Sequence, residues 1–353
     1  MFEIIIYILL ILSLIYGFYF LIMASGVFKK KKCEIDNNKK NHFAILIAAR
    51  NEETVIENLI NSLKKQNYPS NKYDVYVIVN NCTDNTLEVA KNAGAKIIEC
   101  KQKVKSKGEV LKYTFNKLKS NDEIDAYVIF DADNVVHREF LNKMNDSINC
   151  GYEVVQGFRD TKNICDNWLS TSYAILYYLQ SLFINKSRFN FGMSSFLNGT
   201  GFMVKKETID RYGYDPKTIT EDIEYTVICA INGIKIAFNE NAITYDEQVT
   251  DFKSSLKQRK RWSFGAIQCL KNYTGSLIKE GIKNKRFECF DVVIFYFGII
   301  FYVLFTIVSL IGIFYNVFYL NDFNSMDVVI YFIMFLINYF IGVVFRMIVI
   351  NIC

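Results

Sequence analysis

Apolar positions along this chain fall into two kinds of run. Three long, nearly unbroken runs lie toward the ends, at 4–23, 292–320 and 328–350. At about 1.5 Å of helix per residue, each is long enough to cover a ~30 Å hydrocarbon core. Shorter runs occupy the middle: FAILIAA at 43–49, VYVIV at 75–79, a short one at 96–99 and AYVIF at 126–130. Continuous apolar character without alternation predicts strands covered on both faces. Segments of helical pattern follow them, through Leu63, through about Ala93 and from Gly108 to Leu118. Strands alternating with helices predict an α/β domain with a mostly parallel sheet, whose ligands bind outside the carboxyl ends of the strands. The polar clusters RNEE, NNCTDNT and DADN all fall at those ends. Beyond residue 154 the pattern changes to a long amphipathic helical stretch at 166–186, and then to NGTGFMV, TITEDIEYT and KQRKRWSFG.

The expected organisation is an anchor at 1–27, a globular domain at 40–275 and a membrane region of two spans at 291–353. The first apolar run carries only Glu3 ahead of it and a lysine run, 29–32, behind it, unlike a cleaved signal peptide. Those lysines, with Lys279, Lys283, Lys285 and Arg286 before the second run, place the globular domain in the cytoplasm on a multi-pass protein of the plasma membrane. The loop 321–327 has no Lys or Arg and suits the outer side. Arg346, inside the last run, is costly in lipid and is expected to face protein, water or the interface.

Composition removes several functions. The 353 residues are 51% hydrophobic and 16% aromatic, an excess that the end runs explain. Nine cysteines without a C-x-x-C pair suit reduced thiols, and two distant histidines argue against a His-rich zinc site or a Ser-His-Asp hydrolase. Neither G-x-x-x-x-G-K-[ST] nor G-x-G-x-x-G occurs. A net charge of +5, concentrated beside the apolar runs, suits an anionic membrane surface and not nucleic acid.

Asp131 and Asp133 close the strand AYVIF two residues apart, so on extended chain they point the same way and repel unless a cation lies between them. A polar loop capping the next helix is the competing account. TITED opens a helix, where Glu221 and Asp222 suit the helix dipole whether or not either is a base. In KQRKRW, Gln258, Arg261 and Trp262 share one helical face, which fits either a ligand site or an interfacial amphipathic helix with snorkelling Lys and Arg. Gly199 and Gly201 of NGTGF mark either a close backbone approach or a plain turn. Lys107 and Gly108 begin a helix after a lysine-rich loop, where amides and an ammonium could meet a phosphate.

NNCTDNT, DADN, NGTGF, TED and QRKRW, in this order behind an apolar N-terminal run, resemble the membrane-bound family 2 glycosyltransferases, which include the cellulose, hyaluronan and poly-N-acetylglucosamine synthases. The resemblance implies a GT-A type nucleotide-sugar-binding domain beside transmembrane helices. It implies that Asp133 ligates Mg²⁺ or Mn²⁺, that Asp131 assists at the metal or the nucleotide, and that Asp222, with Glu221 beside it, is the base of an inverting transfer. Arg50, Glu52, Asn80, Asp84, Lys107 and Arg261 would bind the nucleotide. Gly199, Thr200, Gln258 and Trp262 would bind the acceptor. Relatives often carry aspartate where this chain has Asn80, which leaves donor preference open. The implied partners are a UDP-sugar donor, a polysaccharide or lipid acceptor, membrane lipids and further copies of the chain. A growing cell-surface polysaccharide is the first expectation for the product, a singly glycosylated lipid the second. A non-catalytic scaffold and a nucleotidyltransferase are the rivals.

Overall fold

The computed structural model describes residues 2–31 and 39–315, with positions 329 and 332. The run at 328–350 and Arg346 otherwise lie outside the described residues. One eight-stranded sheet carries the domain: β1 (Phe43–Ala49), β2 (Tyr73–Val79), β3 (Lys96–Glu99), β4 (Ala126–Asp131), β5 (Val135–Val136), β6 (Val154–Thr161), β7 (Phe202–Lys205) and β8 (Ile236–Asp246), in the order β3-β2-β1-β4-β7-β6-β8-β5. The strands β3, β2, β1 and β4 are mutually parallel, as the sequence predicts. β7 runs antiparallel between β4 and β6, β8 is parallel to β6, and β5 pairs antiparallel with β8 at the edge. The fold is thus α/β with a mostly parallel sheet.

The two-residue period of a strand explains why the central runs are apolar throughout. Phe43, Ile45 and Ile47 of β1 enter one core with Val128 and Phe130, under α2 (Ile56–Lys64) and α5 (Phe140–Asn149). Ala44 and Leu46 enter the opposite core with Tyr127 and Ile129. That second layer comprises α4 (Lys107–Leu118), α8 (Lys206–Tyr212) and α9 (Glu221–Asn232), while α3 (Thr86–Asn92) follows β2. A third cluster forms where α9 meets α10 (Phe252–Lys283) and α11 (Phe287–Phe314).

The stretch 166–186 departs from a single regular helix. It forms α6 (Trp168–Leu179), then a π-helical turn at Gln180–Lys186, then α7 (Ser187–Asn190). The wider turn carries the buried Asn185 inward, where its amide donates to the Phe196 carbonyl (3.1 Å) and accepts from the Phe196 N–H (2.9 Å). Next to it the fully buried Arg188 pairs with Asp291 of α11 through two hydrogen bonds of 3.0 and 3.1 Å.

The N-terminal helix α1 spans Phe2–Ala24, and its Ile11, Leu14, Phe18 and Leu21 are exposed. Val303, Ile307 and Leu310 of α11 are exposed in the same way. Among the described residues, however, no helix is long and apolar enough to cross a membrane, so the expected spans are not established by the fold. Six described cysteines are free, and Cys150 is disulfide-bonded, which corrects the expectation of reduced thiols throughout.

Candidate active site

Parallel strands deliver their carboxyl ends to one edge of the sheet, and the polar loops meet there. The loops after β1 and β2 are locked together. Asn51, in the left-handed region at φ 60°, accepts from the Thr83 N–H at 2.8 Å. Asp84 accepts from the N–H groups of Glu53 (3.2 Å) and Thr86 (3.1 Å), and Glu52 donates its N–H to the Thr86 hydroxyl at 2.8 Å. The Glu52 carboxyl is held above its usual range by burial first, then by the charges of Asp131 and Asp84, so it faces the same cleft. Arg50 is exposed at the rim.

Asp131 ends β4, and its N–H reaches both Asn134 Oδ1 (3.2 Å) and the Thr200 hydroxyl (3.0 Å). The Thr200 hydroxyl in turn donates to Asn134, fastening DADN to NGTGF. Behind them the buried Gln156 of β6 donates to the Thr200 carbonyl at 3.0 Å and accepts from the Asn198 N–H at 2.9 Å. Gly199 and Gly201 have φ of 80° and 62°. A Cβ on Gly201 would lie 2.7 Å from the Thr244 hydroxyl, and one on Gly199 would lie 3.2 Å from Asp222 Oδ2. Both glycines therefore combine the left-handed backbone of a turn with a close approach to the chain's own Asp222 and Thr244.

Lys107, the first residue of α4, joins the two acidic clusters. Its ammonium donates to Asp131 Oδ1 at 2.5 Å and to the Gly199 carbonyl at 2.7 Å, and lies 3.9 Å from Glu221 Oε1. Ser106 caps α4 and so fixes where Lys107 begins. Gly108 is needed for this junction, because a Cβ there would run into Pro216 (2.6 Å) and Glu221 (2.9 Å). Glu221 and Asp222 open α9. Burial pushes the Glu221 carboxyl up to about 7, with Lys107 opposing and Asp222 adding to the rise. Asp222 is raised as well, by burial, against the Ile223 N–H and the Lys107 charge. Glu224, in the first turn of the same helix, is buried. It accepts from the N–H groups of Lys217 (2.8 Å) and Thr218 (2.7 Å) and from the Tyr273 hydroxyl (2.5 Å), tying the TITED loop to α10.

Asp133 is pushed up to about 8, first by burial and then by the charges of Asp246 and Asp131. The buried Asp246, at the end of β8, accepts from Arg159 Nε (2.8 Å), Asn134 Nδ2 (2.9 Å) and Gln248 Nε2 (3.1 Å). Arg159 also donates to the Asn198 carbonyl at 2.9 Å and lies 3.8 Å over the Tyr177 ring. Sequence reasoning overlooked Arg159, Gln156 and Asp246. Only TYDEQ, acidic residues closing a strand run, hinted at the last of them. Among the described residues no group of three or more His, Cys, Asp or Glu side chains is assembled to hold a metal.

The remaining expected residues are placed differently. Asn80 is buried, and its amide N–H group is taken by the carbonyls of Cys100 (3.0 Å) and Gln102 (3.4 Å), so its donor braces the next loop. α10 meets the start of α9 through Gly265, where a Cβ would lie 2.0 Å from the Thr220 hydroxyl. Gln258 presents a buried Oε1 without a hydrogen-bond partner among the described residues, and Trp262 packs edge-on against Tyr173 and Tyr177 at 6.0 and 6.3 Å between centroids. Arg261 is exposed on α10, and no ion pair among the described residues brings it to the carboxylates.

The family model described as "Glycosyltransferase like family 2" matches residues 40–265. The chain is 24% identical over 283 residues to the probable glycosyltransferase YdaM of Bacillus subtilis, covering 73% of this chain and 64% of that protein. It is 24% identical over 233 residues to the beta-monoglucosyldiacylglycerol synthase of Synechocystis, covering 65% of this chain and 48% of that one. The chain thus spans about half to two thirds of the length of these relatives. A mannosyltransferase from Pyrobaculum calidifontis, solved with GDP-Man and Mn²⁺, shares the fold with a TM-score of 0.58 at 15% identity, over 77% of this chain and 76% of that one.

Proposed function

The chain belongs to the glycosyltransferase-like family 2, and from that premise we propose that it transfers one sugar, with inversion, from a UDP-sugar to an acceptor held at a membrane. The observation that carries this reading is the position of Lys107, whose ammonium spans Asp131, the Gly199 carbonyl and Glu221. A cation between the donor carboxylates and the start of α9 suits a leaving diphosphate on one side and a base on the other. Asp222 removes the acceptor hydroxyl proton as that oxygen bonds to the anomeric carbon and the sugar–phosphate bond breaks. A hydroxyl attacking from the side opposite the diphosphate inverts the centre. Glu221 shares the rise in proton affinity and tunes its neighbour. Lys107 replaces Arg261 as the cation nearest the leaving group.

Asp131 and Asp133 fit a hard divalent ion. They are oxygen donors, and Asp133 is raised by burial first and then by the charges of Asp246 and Asp131; such ions are commonly held by one or two carboxylates together with substrate phosphates. Mg²⁺ or Mn²⁺ bound there would offset the charge growing on the diphosphate. Arg159 pairs with Asp246, and the Asn134 amide donates to both Asp246 and Asp133.

For the acceptor, a membrane lipid such as diacylglycerol is favoured by the name of the Synechocystis relative. A growing polysaccharide is the second reading, supported by the likeness of QRKRW to that of processive synthases. The exposed apolar side chains of α1 and α11 support anchors at 1–27 and 291–353 around a cytoplasmic domain at 40–275, at the plasma membrane. The deciding experiment incubates the full chain in diacylglycerol-containing bilayers with Mg²⁺ or Mn²⁺ and a panel of UDP-sugars. UDP release with a lipid-extractable labelled product supports the reading. A long product supports the polymer, and no release with any donor overturns the enzyme in favour of a scaffold.

A further inference from the structure

Away from the acidic cleft, a cavity of about 890 Å³ opens at the β5 edge of the sheet, beside α2. Asn58 and Asn61 of α2 and Lys65 just past its end line it, on the face opposite the buried Ile56, Leu59, Ile60 and Leu63. His137 and Arg138, which follow β5, and Tyr245 of β8 complete it, with Val135 and Val136 as its apolar wall. Among the described residues neither Lys65 nor Arg138 forms an ion pair, whereas Lys96, Lys112 and Lys186 elsewhere on the surface each meet a carboxylate at 2.6–2.8 Å. His137 Nδ1 accepts from the Glu139 N–H at 3.3 Å, which leaves Nε2 to carry the proton. The Tyr245 hydroxyl is held above its ordinary range by burial first and then by the Asp160 charge, so it stays a donor. No Asp or Glu lines the cavity, and Glu139, beside Arg138, is held by the amides of Asn67 and Asn142. A solvated basic face is the competing account, and Lys65 also suits the negative end of α2. It does not explain why two amides, an imidazole and a phenol converge there with the cations, or why no acid joins them.

We propose that this cavity binds a phosphate monoester, with its oxygens on Lys65 and Arg138 and the rest of the ligand against Val135, Val136 and the Tyr245 ring. Three acceptor oxygens and a charge near −2 match two cations ringed by further donors, which a lone carboxylate does not. The site lies behind the donor loops. α2 follows RNEE and β5 follows DADN, and the two are clipped by the Val136 N–H on Ser62 Oγ (3.1 Å) and by Gln66 Nε2 on the His137 carbonyl (2.9 Å). Asn134, immediately before β5, donates to Asp133 and Asp246. A phosphate that bridges α2 to Arg138 therefore holds together the elements carrying both donor loops, and favours the arrangement that binds the nucleotide. The ligand is in this way an effector of the proposed transfer. That consequence rests on the functional reading above, whereas the site itself does not.

The test titrates the full chain, in phosphatidylcholine nanodiscs, with glycerol 3-phosphate by calorimetry. Saturable binding with a Kd of about 1 mM or tighter is expected. Lys65→Gln and Arg138→Gln, both at exposed positions, should each weaken it about tenfold or more, as befits a lost hydrogen bond to a charged group. Asn58→Leu with Asn61→Leu keeps the charge and should weaken it severalfold, while Lys107→Met in the acidic cleft should leave it unchanged. Binding that is lost with Lys107→Met and kept in the cavity variants would put the phosphate in the cleft. That result, or no saturation below about 10 mM, overturns the inference. Nanodiscs doped with phosphatidic acid, which bears the same monoester, identify its source. Competition there assigns the site to a lipid headgroup, and unchanged affinity assigns it to a soluble ester. UDP with Mg²⁺ should tighten glycerol 3-phosphate by about fivefold or more, at the low end of ordinary coupling. A chain that binds no UDP refutes the proposed transfer and leaves the site standing. One that binds UDP without this tightening refutes the effector role.

Discussion

Replacing Lys107 by Met removes the one ammonium among the described residues that touches both acidic clusters, while keeping most of its stem. Its Nζ lies 3.9 Å from Glu221 and lowers the proton affinity of both Glu221 and Asp222. Two charges at that distance interact by about 4 kcal/mol at an effective dielectric near 20. The lysine side chain keeps 21% of its exposure, and Asp131 holds the same ammonium, so about a third of that energy is reasonable after screening, or roughly one pH unit. The sign follows from the base needing to be ionised: without the neighbouring cation, ionisation is harder and the acid limb of the rate profile moves up. The limb set by Asp222, whose carboxyl burial already raises, should move up by about one pH unit. Along that limb kcat should then fall by up to about tenfold and recover at higher pH, while Lys107→Arg keeps the limb in place. Saturating donor separates this from weaker nucleotide binding. An unmoved limb with only a raised donor KM would refute the tuning and leave Lys107 as a phosphate ligand alone.

Asp222→Asn should lower kcat by at least about 10²-fold, within the usual range for a lost general base, with donor affinity measured by calorimetry largely kept. In the absence of divalent ions, stability should fall as pH rises from the ordinary carboxylate range through about 8, because the native state binds the Asp133 proton more tightly than the unfolded chain does. Asp133→Asn should flatten part of that fall in urea melts at pH 6 and 9 and should abolish metal-dependent turnover. Identical slopes would count against the buried charge. Arg188→Met leaves Asp291 buried without its partner and should cost about 3–5 kcal/mol, whereas Arg188→Met with Asp291→Leu should recover most of it. Equal losses in single and double variants would show that shape and not charge matters there.

The candidate site was legible in sequence wherever a motif is local. Asp131 ends one strand with Asp133 in the turn just after it, and Glu221 and Asp222 open one helix, so chemistry and position could be read together. Roles that depend on distant partners were not legible. Asn80 has an amide suited to a base, yet two carbonyls twenty and more residues away take its donor. Glu224 sits two residues after Asp222 and looks like any solvated helix residue until Tyr273 and the 217–218 amides close on it. Arg159 and Asp246 belong to no motif, being 87 positions apart on neighbouring strands.

Sequence by itself determined the alternation of strand and helix, the parallel core of the sheet and the gathering of polar clusters at its carboxyl edge. Burial on two faces demands continuous apolar runs, and the short loops leave few other connections. The tertiary structure decided which charges meet. The antiparallel β7 carries NGTGF back across β4, α4 begins where Lys107 reaches both acidic clusters, and Gly265 lets α10 close on Thr220. Charge–charge energies fall with distance and burial, and both are properties of packing that no local pattern encodes.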